Sequence, residues 1–453
     1  MNYAEEYRKK LTTAEEAVKV IKSGDWVDFG TFQGQVVELD KALAARKDEL
    51  RDVKIRSACR VSGPPAVVMA DPQKESFTFH SGHYSIIDRK LGDLGLCYYY
   101  PLLFREVPSY YRFGDLDVAM ITVTPMDKHG YFNFGMNNLH TKLTCEKARH
   151  VIVEVNPNMP WVPGGYQECI HISEVDCIVE ADWELMSIPE IPIKFEDQKI
   201  AALLMDQIED GSCIQLGIGS LPNALGRLIA RSDLKDLGVH SEMMCDAFLD
   251  MWEAGRITGN KKNIDRGKMV FTFALGSKRL YEFLDHNPGA ASYPVDYVNY
   301  PHIIARNDKV ISINNALEVD LFGQVAAESS GYRHISGTGG QVDFVEGAYL
   351  SRGGKSFIAL NATHSDKNGN LKSRIKPTLS PGTIVTTTRS TVMYIVTEFG
   401  IACMKGKSTW ERAEALVELA HPMFRDELIK EAERLNIWRR TNKIPTMAQT
   451  ASM

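Results

Sequence analysis

The sequence lacks the patterns that mark several common classes of protein. Its eight cysteines stand singly and none forms a CxxC pair, so thiol-zinc and redox motifs are absent and reduced thiols are expected. No apolar run reaches the length of a transmembrane helix, and the N-terminal residues do not resemble a secretory signal. With a net charge of −6, the chain also lacks the basic excess of nucleic-acid-binding proteins. We therefore expect a cytoplasmic protein that binds neither a membrane nor nucleic acid.

What is present is the composition of a globular protein, with 44% hydrophobic and 24% charged residues. The 453 residues exceed what one hydrophobic core supports and predict two or three domains. Near the N-terminus, residues 26–29 and 53–58 are predicted strands on either side of a helix through Leu39 and Leu43. A strand, a helix and a strand at this spacing form a βαβ unit, so the sequence predicts parallel sheets.

The chain also contains an internal repeat. The segment IKSGDWVDFG, which ends at Gly30, is matched by IEDGSCIQLG, which ends at Gly217. The strands that follow match as well, and they align Ala58 of the first copy with Glu242 of the second. Repetition at this length indicates a duplicated domain. We predict domains at residues 1–190 and 191–453, joined by an extended linker that contains prolines, with a reactive carboxylate only in the second.

Further strands are predicted from apolar and β-branched runs. In the first half, residues 117–123 and 151–155 are such runs. In the second half, the predicted strands are residues 269–273, 310–314, 357–360, 384–387 and 393–396. Open α/β sheets bind ligands at the carboxyl ends of their strands, so the loops that follow strands are where a site is expected.

Glu242 follows one of these strands and lies between two glycine-rich segments. Residues 217–222 (GIGSLP) precede it and residues 336–344 (SGTGGQVDF) follow it. A carboxylate held against a carbonyl group can act as a nucleophile, and glycine turns can supply backbone N–H groups to the resulting oxyanion. Taken singly, each feature has a structural alternative. The turn could serve tight packing, and the glutamate could be a solvated charge or a helix cap.

Six segments together resemble the CoA-transferase family that includes acetyl-CoA hydrolases, 4-hydroxybutyrate CoA-transferases and butyryl-CoA:acetate CoA-transferases. The resemblance covers nearly the whole chain and implies an α/β fold of two duplicated, sugar-isomerase-like domains with largely parallel sheets. The segments are KSGDWV (22–27), TPMDKHG (124–130), GIGSLP (217–222), HSEM (240–243), NNALEVD (314–320) and GTGGQVDF (337–344).

The resemblance implies a ping-pong reaction between a short-chain acyl-CoA, such as butyryl-CoA or 4-hydroxybutyryl-CoA, and a carboxylate such as acetate. Glu242 would attack the acyl-CoA to form a mixed anhydride, which the released CoA thiolate would convert into a glutamyl-CoA thioester. Asn299 would orient Glu242, and the oxyanion hole would combine the N–H of Ile218 or Gly219 with that of Gly340. No metal or permanently bound cofactor is implied, and CoA serves as substrate and carrier.

The resemblance also suggests which residues contact the substrates. The candidates for CoA binding are Gly217, Ile218, Gly219, Ser220, Leu221, Asn315, Gly339 and Gly340. Gln33 and Gln35 occupy the turn of the first copy that corresponds to the glycine turn, and we predict that they face the acyl group. Met243 is predicted as core or as a wall of the substrate pocket. His80 and His83 have no third ligand nearby in the sequence, so zinc is not expected, and His83 could instead line the acyl pocket.

Two other functions fit the same residues. In an acyl-CoA hydrolase, water would capture the intermediates that a transferase gives to a carboxylate. In a binding module on the same fold, Glu242 would have no catalytic role. We expect small-molecule partners and a homo-oligomer in either case.

Overall fold

The computed structural model describes residues 2–189 and 191–439. In the first half the strands are β1 (Trp26–Thr31), β2 (Val53–Ala58), β3 (Phe77–Ser81), β4 (Tyr98–Tyr99), β5 (Val118–Val123), β6 (Tyr131–Asn133), β7 (His150–Val155), β8 (Cys169–His171) and β9 (Cys177–Glu180). The helices are α1 (Tyr3–Lys10), α2 (Ala14–Ala17), α3 (Glu38–Ala44), α4 (Ala66–Ala70), α5 (Ile86–Asp93), α6 (Val107–Tyr110) and α7 (Thr141–Lys147), and short 3-10 helices span Val18–Val20, Phe32–Gly34, Phe104–Glu106 and Ile172–Glu174.

The second half has more strands, several of them very short. They are β10 (Cys213–Gln215), β11 (Gly238–His240), β12 (Met243–Met244), β13 (Met269–Phe271), β14 (Phe273–Ala274), β15 (Ala290–Ser292), β16 (Val310–Asn315), β17 (Glu318–Asp320), β18 (Val325–Ala326), β19 (Ser329–Ser330), β20 (Arg333–His334), β21 (Lys355–Ala359), β22 (Thr363–Ser365), β23 (Leu371–Ser373), β24 (Ile375–Lys376), β25 (Tyr394–Thr397) and β26 (Gly400–Cys403). The helices are α8 (Phe195–Met205), α9 (Ser220–Arg231), α10 (Asp246–Glu253), α11 (Lys278–Leu284), α12 (Val295–Val298), α13 (Pro301–Ile304), α14 (Gln341–Leu350), α15 (Thr409–Leu419) and α16 (Pro422–Arg434).

Each half is built on one large sheet, and the two sheets share a strand order. The first runs β4-β3-β2-β1-β5-β7-β9 and the second runs β15-β13-β11-β10-β16-β21-β25-β26. Adjacent strands are parallel throughout, except for the added edge strand β26, which is antiparallel to β25. Because β1 corresponds to β10 and β2 to β11, the repeat seen in the sequence is also a repeat in the topology. The predicted α/β fold with largely parallel sheets is confirmed.

The central strands are buried on both faces because helices cover both sides of each parallel sheet. All six residues of β5 are buried, as are the first four of β16. Each such side chain stabilises the fold by roughly 1.5–3 kcal/mol relative to an exposed one. Within the described residues, no helix is both long and apolar enough to cross a membrane.

The two halves meet through an apolar cluster beside the carboxyl ends of the strands. Phe32 of the first half stacks on Phe273 of the second with ring centroids 3.9 Å apart. Met243 is buried in the same cluster, together with Phe104 and Val295. These contacts fix how one half lies over the other at the edge where the site is expected.

The prediction of a strand at residues 384–387 is wrong. Residues 384–387 form no named strand, and Thr387 makes only an isolated bridge to Val325. Their polar groups are used locally instead, since Thr386 Oγ1 donates to Glu328 Oε1 at 3.0 Å and the Ile384 N–H donates to Ser329 Oγ at 2.8 Å. The linker is irregular through residues 181–189, and α8 begins at Phe195. A domain boundary near residue 190 stays a prediction.

Candidate active site

Glu242 lies at the carboxyl edge of the second sheet, two residues after β11 ends. Its backbone carbonyl accepts hydrogen bonds from the N–H groups of Thr272, at 3.0 Å, and Phe273, at 3.3 Å. The neighbouring Ser241 is fully buried, and its Oγ donates to the carbonyl oxygen of Leu216 at 3.1 Å. The backbone around Glu242 is therefore fixed both to the next strand and to the turn that follows β10.

The carboxylate of Glu242 is held by an asparagine from a different element. Asn299 follows α12, is fully buried, and donates from Nδ2 to Glu242 Oε2 at 2.6 Å. The same Nδ2 donates to Asp343 Oδ2 at 3.1 Å. One amide group thus contacts two carboxylates, and the expected pairing of Asn299 with Glu242 is present in the structure.

The surroundings make Glu242 a weaker acid than an exposed glutamate. Although part of the side chain remains accessible, desolvation by the surrounding protein raises the pKa of Glu242 to about 8. The charge of Asp343 raises this pKa further, whereas hydrogen bonds from Asn299 and from the Gly340 N–H lower it. A carboxylate with a raised pKa and two directed donors has the character of a functional group. A solvated surface charge would not have these properties.

The loop after β20 passes so close to Glu242 that only glycine fits. A Cβ added at Gly340 would lie 2.0 Å from Glu242 Oε2 and 2.4 Å from Asn299 Nδ2. Gly339 has a φ of +53°, in the left-handed region that favours glycine. These glycines are required by the approach of the loop to the carboxylate. A role of the Gly340 N–H as an oxyanion donor stays a prediction.

The turn after β10 borders open space, in contrast to the crowded loop after β20. A Cβ at Gly217 would meet nothing within 4 Å, so packing against the protein does not require glycine there. Gly219 has a φ of +129°, which a residue with a Cβ rarely adopts. Ile218 between them is 39% exposed despite its apolar side chain. The turn therefore borders open space next to the strand that carries Glu242.

Comparison with known proteins identifies the family. The model of the acetyl-CoA hydrolase/transferase N-terminal domain matches residues 1–190, and that of the C-terminal domain matches residues 276–432. The chain is 52% identical over 449 residues to the butyryl-CoA:acetate CoA-transferase of Anaerostipes caccae, covering 98% of this chain and 100% of the relative. It is 52% identical over 447 residues to the probable butyrate:acetyl-CoA coenzyme A-transferase of Syntrophomonas wolfei, covering 97% and 98%. The chain belongs to the acetyl-CoA hydrolase/transferase family.

A solved structure agrees with this assignment. The crystal structure of RipA from Yersinia pestis matches with a TM-score of 0.89 at 38% identity, covering 96% of this chain and 100% of that one. The family and the two-domain fold inferred from the six sequence segments are thus confirmed, and the chain is an enzyme of the CoA-transferase class. CoA is accordingly a substrate and carrier. Among the described residues, no group of three or more His, Cys, Asp or Glu side chains is placed to hold a metal ion.

The residues predicted to bind CoA differ in their exposure and in the hydrogen bonds that they already make. Asn315 is exposed at the end of β16, and its neighbour Asn314 is bonded to Gln215 and Ser312. The Ser220 hydroxyl donates to the carboxylate of Asp197. Leu221, at 5% exposure, packs into the core from the first turn of α9. Their roles in CoA binding stay predictions.

The predicted acyl contacts have structural partners of their own. Gln33 is buried, and its Nε2 donates to the Met186 carbonyl at 2.5 Å and to Tyr281 Oη at 3.1 Å. Gln35 is also buried, and its Nε2 donates to Ser57 Oγ at 2.9 Å. These hydrogen bonds stabilise the contact between the halves and the turn after β1. A role of either glutamine in substrate binding stays a prediction. Met243 is buried in the apolar cluster between the halves, as the sequence suggested.

The first half also holds the loop that faces Glu242, which the sequence did not reveal. The Tyr84 N–H donates to the Ser336 carbonyl at 3.0 Å, and Arg89 Nε donates to the Ile335 carbonyl at 2.8 Å. His83 lies against the same loop, since a Cβ at Gly337 would be 2.8 Å from His83 Nδ1. These partners are about 250 positions from the loop in sequence. Only the repeat could have suggested that the first half covers this site.

Proposed function

We propose that the chain transfers CoA between a short-chain acyl-CoA, butyryl-CoA above all, and acetate, with Glu242 as the nucleophile. The observation that carries this proposal is the carboxylate of Glu242, held by Asn299 Nδ2 at 2.6 Å and by the Gly340 N–H beside an open glycine turn. The choice of acyl group is supported by the 52% identity to a relative named butyryl-CoA:acetate CoA-transferase.

In the first step an oxygen of Glu242 attacks the thioester carbonyl carbon of the donor. The tetrahedral oxyanion accepts hydrogen bonds from backbone N–H groups, one from Gly340 and one from Ile218 or Gly219. Losing one such donor costs about 2.7–4 kcal/mol in comparable enzymes. The carbon–sulfur bond then breaks, and CoA thiolate leaves behind a mixed anhydride of Glu242 and the acyl group.

In the second step the thiolate attacks the Glu242 carbonyl carbon of the anhydride. The bond from that carbon to the bridging oxygen breaks, so the donor acid leaves as a carboxylate and Glu242 becomes a CoA thioester. The acceptor carboxylate then runs both steps in reverse, which restores Glu242 and forms the new acyl-CoA. No proton has to be transferred in any step, and this suits a site where Glu242 must only be ionised.

Transfer rather than hydrolysis requires that water is kept from the anhydride and the thioester. Met243, the residue after the nucleophile, is buried in one apolar cluster with Phe273 of its own half and with Phe32 and Phe104 of the first half. We infer that this cluster limits the access of bulk water to Glu242. This cluster is the structural support for the transferase over the acyl-CoA hydrolase.

The test measures new CoA ester and free thiol separately, with butyryl-CoA in the presence and absence of acetate. We expect acetyl-CoA to form with acetate and little thiol to be released without it. Thiol release that is independent of acetate would instead establish the hydrolase. Parallel assays with 4-hydroxybutyryl-CoA decide which acyl group is preferred.

The nucleophile is tested with Glu242→Gln and Glu242→Asp. Both should abolish transfer, since the first has no carboxylate and the second withdraws it by one methylene, while CoA should still bind. The matched control is Glu209→Gln, an exposed glutamate at the opposite edge of the same sheet, which should keep full activity. Full transfer by Glu242→Gln would show that the chain uses another nucleophile, whereas CoA binding without any transfer by the wild-type protein would favour the binding module.

We further propose a cytoplasmic homo-oligomer. All eight cysteines lie within residues 2–189 and 191–439 and all are free thiols, as expected for a reducing compartment. Phe113 and Tyr332 are 91% and 89% exposed, and exposed aromatic side chains of this kind often lie in interfaces. Light scattering of the purified chain tests the assembly, and a monomeric mass would contradict it.

A further inference from the structure

A chain of polar contacts crosses from the first half of the molecule to the nucleophile in the second. Arg105 Nη1 donates to Asp343 Oδ1 at 2.7 Å, and the Arg105 backbone N–H donates to Asp343 Oδ2 at 3.2 Å. Asn299 Nδ2 then links Asp343 Oδ2 to Glu242 Oε2. The four residues come from four separate segments, and only Arg105 belongs to the half that has no nucleophile.

Asp343 gives the Asn299 amide its orientation. Asn299 Oδ1 is buried and has no hydrogen-bond partner among the described residues, so nothing on that side fixes the group. On the other side, the carboxylates of Asp343 and Glu242 both require a donor. A flipped amide would place Oδ1 against two carboxylates, which is electrostatically unfavourable. Two acceptors together therefore specify which way the amide points.

Arg105 allows Asp343 to serve as that acceptor. Asp343 is fully buried, and burial raises the pKa of its carboxyl group to about 6, while Arg105 and Asn299 lower it. Without the guanidinium group, a buried carboxylate next to Glu242 would take up a proton. Arg105 lies in the 3-10 helix Phe104–Glu106, which packs against α12, the helix that Asn299 directly follows.

We propose that Arg105 is a positioning residue, which holds Asp343 as an oriented anion so that Asn299 aims its amide at the nucleophile. The inference rests on the proposed role of Glu242. It gives the half with Ala58 a direct part in the reaction, because the nucleophile is aligned only when Arg105 is in place.

The first test compares Arg105→Met with Arg105→Lys. A small misplacement of a reacting group can cost about 100-fold in rate, so Arg105→Met should lower kcat by about that factor. The KM for butyryl-CoA should change little, because the guanidinium group of Arg105 is held by the carboxylates of Asp343 and Glu346, at 2.7 and 3.1 Å. Arg105→Lys keeps a cation but cannot bind the carboxylate with the same geometry, and it should recover part of the loss.

The matched control is a second ion pair between the halves. Arg333 contacts Asp93 through two bonds, at 2.9 and 2.7 Å, and neither residue touches the site. Arg333→Met should leave kcat unchanged. If Arg333→Met lowers kcat as much as Arg105→Met does, Arg105 merely holds the halves together and the inference is overturned.

The second test uses Asp343→Asn, which removes the charge that raises the pKa of Glu242. Among the described residues, the titratable groups near Glu242 are Asp343, Cys59 and His83, and burial keeps Cys59 and His83 uncharged at neutral pH. The acid limb of kcat/KM should therefore move to lower pH, and a purely structural role would not move it. In the double variant that combines Asp343→Asn with Arg105→Met, the loss in kcat should be close to that of whichever single variant has the lower kcat.

The outcomes separate this inference from the proposed function. If the wild-type protein forms no CoA ester from butyryl-CoA and acetate, the proposed function fails. If wild type is active and Arg105→Met matches it in kcat, only the role of Arg105 fails. Additive losses in the double variant, or an unshifted acid limb in Asp343→Asn, would overturn it as well. Thermal unfolding of each variant identifies any loss that comes from misfolding.

Discussion

The two halves share one strand order, yet the turns that follow their corresponding strands differ in packing. After β1, a Cβ at Gly30 would lie 2.4 Å from the Gly34 carbonyl oxygen, and the buried amide of Gln35 fills the turn. After β10, a Cβ at Gly217 would meet nothing within 4 Å. The first turn is packed by its own side chains, whereas the second turn is left open.

The same contrast holds one strand further along. Ser57 and Ser241 both donate a hydroxyl hydrogen bond to a backbone carbonyl of the preceding strand or turn, so this scaffold contact is present in both halves. The next residue is Ala58 in one half and Glu242 in the other. The serine is therefore part of the duplicated fold, whereas the carboxylate is not. The second copy carries the nucleophile, and the first copy contacts the loop beside it.

The largest expected effect comes from moving the nucleophile between the halves. Glu242→Ala should lower transfer by about 10⁵-fold, since proximity of a bound nucleophile contributes roughly 7 kcal/mol or more. Adding Ala58→Glu to Glu242→Ala should restore nothing, because the Asn299 amide and the Gly340 N–H are directed at the carboxylate of Glu242. Mass spectrometry for a covalent CoA adduct, beside the rate assay, checks both variants. Recovered transfer in the double variant would mean that the two strand ends are equivalent.

A smaller effect is expected from closing the space around each glycine segment. Gly340→Ala places a methyl group where Glu242 Oε2 lies, which must displace the loop and the N–H that it carries. It should lower kcat by about 10²–10³-fold, the cost of a misplaced oxyanion donor. Gly217→Ala has room, so it should unfold at the wild-type temperature and raise only the KM for CoA esters. Steady-state kinetics with thermal unfolding separates the two. Equal losses in kcat would show that both segments contact the reacting atoms.

The pH dependence gives an effect of about tenfold per pH unit below the pKa of Glu242. Glu242 must be ionised to attack, and its pKa is raised to about 8, so kcat/KM for butyryl-CoA should rise about tenfold per pH unit between pH 6 and 7 and level off above pH 8.5. His83, with its pKa lowered to about 4, stays neutral across this range. Initial rates in buffers of constant ionic strength test this. A profile that is flat between pH 6 and 8 would mean that Glu242 is an ordinary carboxylate in the free enzyme.

Much of this site could be predicted because the residues near the chemistry are constrained locally. Gly339 and Gly340 are required by φ and by contact with Glu242, and such requirements leave a recognisable Gly-Gly motif. The contribution of Arg105 could not be predicted, because an arginine after an irregular segment has no local pattern and its partner is 238 positions away. The error at residues 384–387 has a similar cause, since a β-branched run predicts a strand while tertiary hydrogen bonds to Glu328 and Ser329 hold it outside the sheet.

The smallest expected effect concerns His83, the residue of the covering half that lies closest to the Gly-Gly loop. A Cβ at Gly339 would be 3.4 Å from His83 Cε1 and 3.8 Å from Glu242 Oε1, so the ring borders the site. Within the described residues its ring nitrogens make no hydrogen bond, and burial keeps the imidazole neutral. A neutral imidazole can donate one hydrogen bond to a hydroxyl group on the acyl chain, which contributes about 0.5–1.5 kcal/mol.

We therefore expect His83→Phe to lower kcat/KM for 4-hydroxybutyryl-CoA by about 2- to 12-fold relative to butyryl-CoA, the range that such a bond corresponds to. His83→Gln keeps a donor and should retain the wild-type ratio of the two substrates. Competition between both CoA esters in one reaction measures this ratio directly and cancels differences in active enzyme. Equal losses for the two esters in His83→Phe would show that the ring only packs against the loop. In that case the covering half would align the nucleophile but would not select the acyl group.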